Sequence, residues 1–245
     1  MTNFSHGFAS AGAAITCFQG SMNLQGRTSM FANVLDYEKQ QLQLQQPGDG
    51  GGLEVAKLAF GGRSMGARAA VMASHADDSI HLLVLVSYPL VAPSGDVRDQ
   101  ILLDVRPETN VLFISGDGDS MCDLARLAKV RAKMKAKTWL VVVQGADHGM
   151  SLKGGAKMKK ATEEIGKETG RIAARWIQQR DEKTTEMVIR WDGDHGRVLG
   201  QWNDDQAVRE GKATTEPGGI AKYFAKAADK DEAERAGQPA RRKRK

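Results

Sequence analysis

A chain of 245 residues with 41% hydrophobic and 27% charged side chains is long enough for one sizeable core and a small appendage. Its longest apolar run, Leu82 to Val86 with its flanks, falls far short of the roughly 20 residues that cross a bilayer, and no charged start followed by an apolar stretch opens the chain, so an intracellular protein is expected. The net charge of +5 is uneven: the last 16 residues, KDEAERAGQPARRKRK, hold seven Lys/Arg against three Asp/Glu and carry +4 of it, which leaves the rest near neutral and without the basic, aromatic-interleaved stripe of a nucleic-acid surface.

The runs AAITCF (13–18), VAKLAF (55–60), IHLLVLVS (80–87), NVLFIS (110–115) and TWLVVV (138–143) predict strands, most of them apolar on both faces, as in a parallel sheet covered on both sides. Met30, Phe31, Val34, Leu35 and Leu42 recur at helical spacing behind a Thr28 cap, and Leu124, Leu127, Ala128, Val130 and Met134 repeat the pattern further on. The βαβα order predicts an α/β fold with a doubly wound, mostly parallel sheet and right-handed crossovers. By composition QQPGDGGG (45–52) is a mobile loop. A long helix is expected from about Ala156 to Arg180, then a small hairpin in MVIRWDGDHGRVLGQW with Trp191 and Trp202 as anchors. The expected divisions are a domain over 1–180, an extension carrying the hairpin over 181–228, and a disordered basic tail over 229–245. Within that tail Arg241 to Lys245 reads as a nuclear-import signal, a nucleic-acid arm or a solvated end. Cys17 and Cys122 are too few for a disulfide framework and read as buried thiols, and no His/Cys cluster suggests a metal.

Gly62-Arg63-Ser64-Met65-Gly66 has the form Gly-x-Ser-x-Gly. In a glycine-rich chain the pattern alone is weak. Here an apolar strand ends at Phe60 and a small-residue helix begins at about Met65, the strand–turn–helix setting that exposes such a serine above the C-terminal edge of a sheet. A serine needs a base to take its proton, and the base needs a carboxylate to hold its tautomer. In enzymes built on such an elbow these follow in the order Ser, acid, His, each after a later strand. The strand at 110–115 runs into SGDGDSMCD and that at 138–143 into QGADHGM, so Asp119 or Asp117 is the candidate acid and His148 the candidate base. His6, His75, His81 and His195 fall in a helix, a loop, a strand and a hairpin turn, out of place for that task.

The segments FGGRSMGARAA, LLVLVSYPL, VLFISGDGDSMCD and ADHGMSLKG resemble the α/β-hydrolase-like domain shared by the third subunit of the nuclear NSL acetyltransferase complex and its testis-expressed relatives, a dienelactone-hydrolase-like group. The resemblance spans about residues 1–180 and rests on four motifs with their spacings. It implies a hydrolase fold with Ser64 as nucleophile, Asp119 rather than Asp117 as acid and His148 as base. It implies no particular substrate, and some members of the group are complex subunits.

The sequence also departs from that group. NFSHGFASAG resembles the group's first crossover helix, so His6-Gly7 is not its His-Gly oxyanion loop, and the chain is expected to start late, without the first strands of the fold. The group's strand order puts a further strand between 13–18 and 55–60; without it the sheet has a hole, or those two strands pair directly. Met65 N–H is the expected oxyanion donor, and loss of the second donor with the loop costs about 10²–10³ in rate. The expected activity is hydrolysis of an ester or other acyl bond without metal or organic cofactor. Tyr88 to Thr109, where larger relatives insert lids, is only 22 residues, which predicts an open pocket and low selectivity. The expected partners are a small acyl substrate and a nuclear protein complex, with no membrane and no nucleic acid. The alternative from another class is a non-catalytic nuclear interaction protein on a hydrolase scaffold.

Overall fold

The computed structural model describes residues 1–45 and 57–203. Helices α1 (Thr2–Ser10) and α2 (Leu24–Gln45) precede β1 (Ala59–Arg63), α3 (Met65–Ala76), β2 (Leu82–Val86), α4 (Gln100–Leu103) and β3 (Asn110–Gly116). Then come α5 (Leu124–Arg131), β4 (Lys137–Val143), a 3-10 turn at Gly155–Met158, α6 (Lys159–Gln178), β5 (Glu186–Asp192) and β6 (Arg197–Asn203). The strands form one sheet in the order β1-β2-β3-β4-β5-β6, parallel through β5, with β6 antiparallel to β5.

The apolar runs at 80–87, 110–115 and 138–143 become strands because both of their faces are covered, whereas of VAKLAF only Ala59 and Phe60 lie in β1, which continues to Arg63 and has one buried residue, Phe60. Every residue of β2 is buried, and its side chains alternate between two cores as the two-residue period requires. Leu83 and Leu85 join Val71 of α3, Phe31 of α2 and Leu127 of α5. Leu82, Val84 and Val86 join Phe4 and Phe8 of α1 and Ile165 and Ile172 of α6 on the other face.

That division settles the winding. The helices joining β1 to β4 pack on one face, whereas α6, which joins the parallel neighbours β4 and β5, packs on the other. With the strand order continuing in one direction, the β4–α6–β5 crossover has the opposite hand to the three before it. The expectation of uniformly right-handed crossovers is therefore corrected. The hairpin β5–β6 continues the sheet edgewise, and Trp191 and Trp202 pack against the second core.

Residues 13–18 are a second correction, since they form no strand. Ala13 and Ile15 lean on one core and Phe18 on the other, its ring 5.1 Å from that of Phe31. The alternation in AAITCF marks an extended segment, but a strand also needs a neighbour for its backbone N–H and C=O groups, which alternation does not supply. Neither a hole nor direct pairing with β1 results, because β1 lies at the edge of the sheet. Thr28 is not a cap either: α2 starts at Leu24, Asn23 Oδ1 accepts from the Gly26 N–H at 2.7 Å, and Thr28 Oγ1 donates back to Leu24 O. Cys17 is exposed rather than buried, and His75 sits in the last turn of α3 rather than in a loop. The expected loop at 45–52 is helical at Gln45 and otherwise outside the described residues, as are Val55, Ala56 and the tail.

His6-Gly7 has a structural place. Helices α1 and α6 cross so closely that a Cβ on Gly7 would lie 1.8 Å from Lys167 O, and one on Gly170 would lie 2.0 Å from Phe4 O. Helix propensity alone favours alanine over glycine by about 1 kcal/mol. The backbone contact reverses the sign, so Gly170→Ala is expected to lower stability by about 1–3 kcal/mol. A lower Tm in thermal unfolding is the check; a higher one would show that the crossing yields.

Candidate active site

Ser64 sits between β1 and α3 in a conformation that L side chains rarely adopt, φ 55° and ψ −120°. Such a backbone costs on the order of 1–3 kcal/mol and survives only when its surroundings hold it. Here the Ser64 N–H donates to Val86 O at 3.0 Å, tying the turn to β2, while Ser64 O accepts from Ala67 N–H at 2.9 Å and opens the helix. The two glycines of the motif have different jobs. A Cβ on Gly62 would lie 2.5 Å from the backbone of Gly66, so position 62 must be bare for the chain to double back; a Cβ on Gly66 would meet only Arg27 Nη1, at 3.9 Å. Met65, at the first helical position, has an N–H with no acceptor within its own helix, pointing along the positive end of the helix dipole.

The loops after β3 and β4 meet this turn. His148 Nε2 lies 2.9 Å from Ser64 Oγ, and His148 Nδ1 lies 2.9 Å from Asp119 Oδ2 and 3.0 Å from Oδ1. The Asp119 side chain is wholly buried while that of His148 is 26% exposed, so the chain of hydrogen bonds runs from the interior outward to the serine. Asp119 Oδ1 also accepts from Met121 N–H at 2.8 Å, which fixes the carboxylate. Ser64, Asp119 and His148, placed by sequence at three separate strand ends, are brought together.

Asp117 is occupied differently. Its Oδ1 accepts from Gly145 N–H at 2.6 Å, and Gly118 N–H donates to Ala146 O at 2.9 Å, so the two loops are stapled by one side-chain and one backbone bond. Gly116 permits that approach, since a Cβ there would lie 2.1 Å from Ala146 O. The histidine loop is then closed on itself: Asp147 N–H donates to Ser151 O, Asp147 Oδ1 accepts from Ser151 N–H, and Met150 takes φ 61°. Arg63, the variable residue before the serine, donates from Nη1 to Gly149 O at 3.1 Å. Sequence reasoning missed this clip, because an x position within a motif carries no signal of what it will reach across the fold.

Beneath the acid, Cys122 is buried and its thiol lies 3.8 Å from Ser115 Oγ; burial pushes its pKa up to about 12. It is inert at neutral pH. Tyr88 to Thr109 tucks Tyr88, Leu90, Leu102 and Val105 into the core, with the Tyr88 hydroxyl donating to Arg98 O at 2.9 Å. Among the described residues no three His, Cys, Asp or Glu side chains gather as metal ligands, and no helix is long and apolar enough to cross a membrane.

A mostly parallel sheet with helices on both faces and a strained serine at a strand–helix turn defines the α/β-hydrolase fold. The chain belongs to the family described as the alpha/beta hydrolase domain, whose model matches residues 46–178, more than half its length. The esterase domain of a Rhodothermus marinus protein is similar in structure, with TM-score 0.51 at 12% identity over 71% of this chain and 78% of that one. Two further similar structures are an alpha-beta serine hydrolase homologue from Coxiella burnetii (14% identity, TM-score 0.45, 71% and 75% covered) and a putative alpha/beta hydrolase from Agrobacterium tumefaciens (17%, 0.48, 72% and 76%).

Proposed function

We propose that the chain is a serine hydrolase acting on an ester or other acyl bond through Ser64, His148 and Asp119. The observation that carries this is the position of one imidazole, 2.9 Å from a serine hydroxyl on one side and from a buried carboxylate on the other. In this reading Ser64 Oγ attacks the acyl carbonyl carbon as His148 Nε2 takes the hydroxyl proton, and Asp119 holds the Nδ1–H tautomer. The carbonyl oxygen becomes an oxyanion stabilised by Met65 N–H. Collapse of the tetrahedral species breaks the bond to the leaving group, which takes the proton from His148. Water, deprotonated by the same nitrogen, then attacks the acyl-serine, the bond from the acyl carbon to Ser64 Oγ breaks to release the acid, and Oγ regains the proton from His148.

Within the family, the motifs around Ser64, Asp119 and His148 support a place in the dienelactone-hydrolase-like group. The basic block at Arg241 to Lys245 supports a nuclear location over a cytoplasmic one. The test is labelling with a fluorophosphonate probe: the native chain is expected to take up one equivalent, lost in Ser64→Ala. A folded chain that takes up none would reject catalysis and leave the interaction protein on a hydrolase scaffold.

A further inference from the structure

Two hydrogen bonds join the serine turn to the histidine loop, from adjacent residues on each side. Ser64 Oγ and His148 Nε2 lie 2.9 Å apart, and the neighbours Arg63 and Gly149 are joined by Arg63 Nη1 donating to Gly149 O at 3.1 Å. The first of these contacts belongs to the triad and is remade during the reaction proposed above. The second joins a guanidinium to a peptide carbonyl, and neither group reacts.

The histidine loop is a narrow turn. Its base is fastened by Gly145 N–H to Asp117 Oδ1, by Gly118 N–H to Ala146 O and by a bridge between Ala146 and Leu152. Above the base, Asp147 and Ser151 exchange two hydrogen bonds and Met150 N–H donates to Asp147 O, which leaves His148 and Gly149 at the tip. From this tip the imidazole reaches Ser64 and Asp119, and the backbone reaches Arg63.

Acylation removes one of those links. Once Ser64 Oγ carries an acyl group it has no hydrogen to donate to Nε2, and the ring must serve a water molecule while Asp119 alone holds it through Nδ1. The Arg63 bond is untouched by that step, because its acceptor is backbone and a guanidinium keeps its charge and donors throughout the working pH range.

We propose that Arg63 is a positioning residue for the second half of the reaction: its bond to Gly149 O holds the tip of the histidine loop at the serine turn in the acyl-enzyme, so that His148 Nε2 stays placed to take a proton from water. The inference rests on the serine-hydrolase reading. Arg63 is exposed and fills no place in either core, so its loss is separable from loss of the fold.

The test separates the two half-reactions with p-nitrophenyl acetate. Acylation is read from the pre-steady-state release of p-nitrophenolate, and deacylation from the decay of acetyl-Ser64 by intact-protein mass spectrometry after excess ester is removed. Arg63→Met, which keeps a long side chain without a donor, is expected to slow deacylation about tenfold and acylation less than about twofold, the scale of a small misplacement of the base. With deacylation limiting, kcat and KM then fall together while kcat/KM holds. Arg63→Lys, which can still donate, should recover part of the deacylation rate. Circular dichroism shows which variants are folded, and Arg63→Gln takes the place of Arg63→Met if that variant is not. Equal losses in both half-reactions, a loss in acylation alone, unchanged deacylation in the folded variant, or Arg63→Lys no better than Arg63→Met would each overturn the proposal and leave the hydrolase reading standing. A wild-type chain that forms no acetyl-Ser64 would reject that reading, and the proposal with it.

Discussion

Replacing His148 with alanine is expected to lower the rate of Ser64-dependent ester hydrolysis by about 10⁶-fold, because residues of a triad act as a unit and loss of the base removes nearly all that the unit supplies. Asp119→Asn should cost about 10⁴-fold, since an amide at the same place no longer holds the Nδ1–H tautomer. Asp117→Ala removes the 2.6 Å bond that staples the histidine loop without touching the imidazole, and a displaced base is worth up to about 10²-fold. The ordering is the measurement: kcat for p-nitrophenyl acetate in the three variants, each checked for folding. Equal losses at 117 and 119 would show that the second carboxylate is not specifically the orienting one.

The largest expected effect on stability lies at the centre of the sheet. Phe113 in β3 is fully buried, flanked in register by Leu85 and Leu140. Phe113→Ala leaves a cavity that this two-sided sheet cannot close, at about 3–5 kcal/mol. That is a large share of the roughly 5–15 kcal/mol that holds a domain together. Urea unfolding should show a lowered midpoint with an unchanged slope, and a changed slope would mean that the native state itself had loosened.

Both predictions use residues that were visible before the fold was. Runs such as LLVLV and TWLVVV could be recognised because burial on both faces writes itself into consecutive positions, and Ser64 and His148 because each follows such a run in a glycine-containing turn. These are local signals, set by side-chain polarity and backbone freedom within a few residues. AAITCF carried the same local signal and is nevertheless no strand, since pairing depends on what lies alongside.

Local chemistry therefore determined which segments of this chain are buried, where the chain turns, and which three strand ends carry a serine, a carboxylate and an imidazole. The tertiary structure alone decided the rest. It made β1 an edge, put α6 on the opposite face from the other crossover helices, and gave Arg63 a carbonyl to hold. It also fixed the separate places of two aspartates only two residues apart, Asp119 against the imidazole and Asp117 against the backbone of the histidine loop. The reason is physical: a hydrogen bond is decided within a few tenths of an ångström between atoms far apart in the chain, and the spacing of residue types carries no information at that resolution.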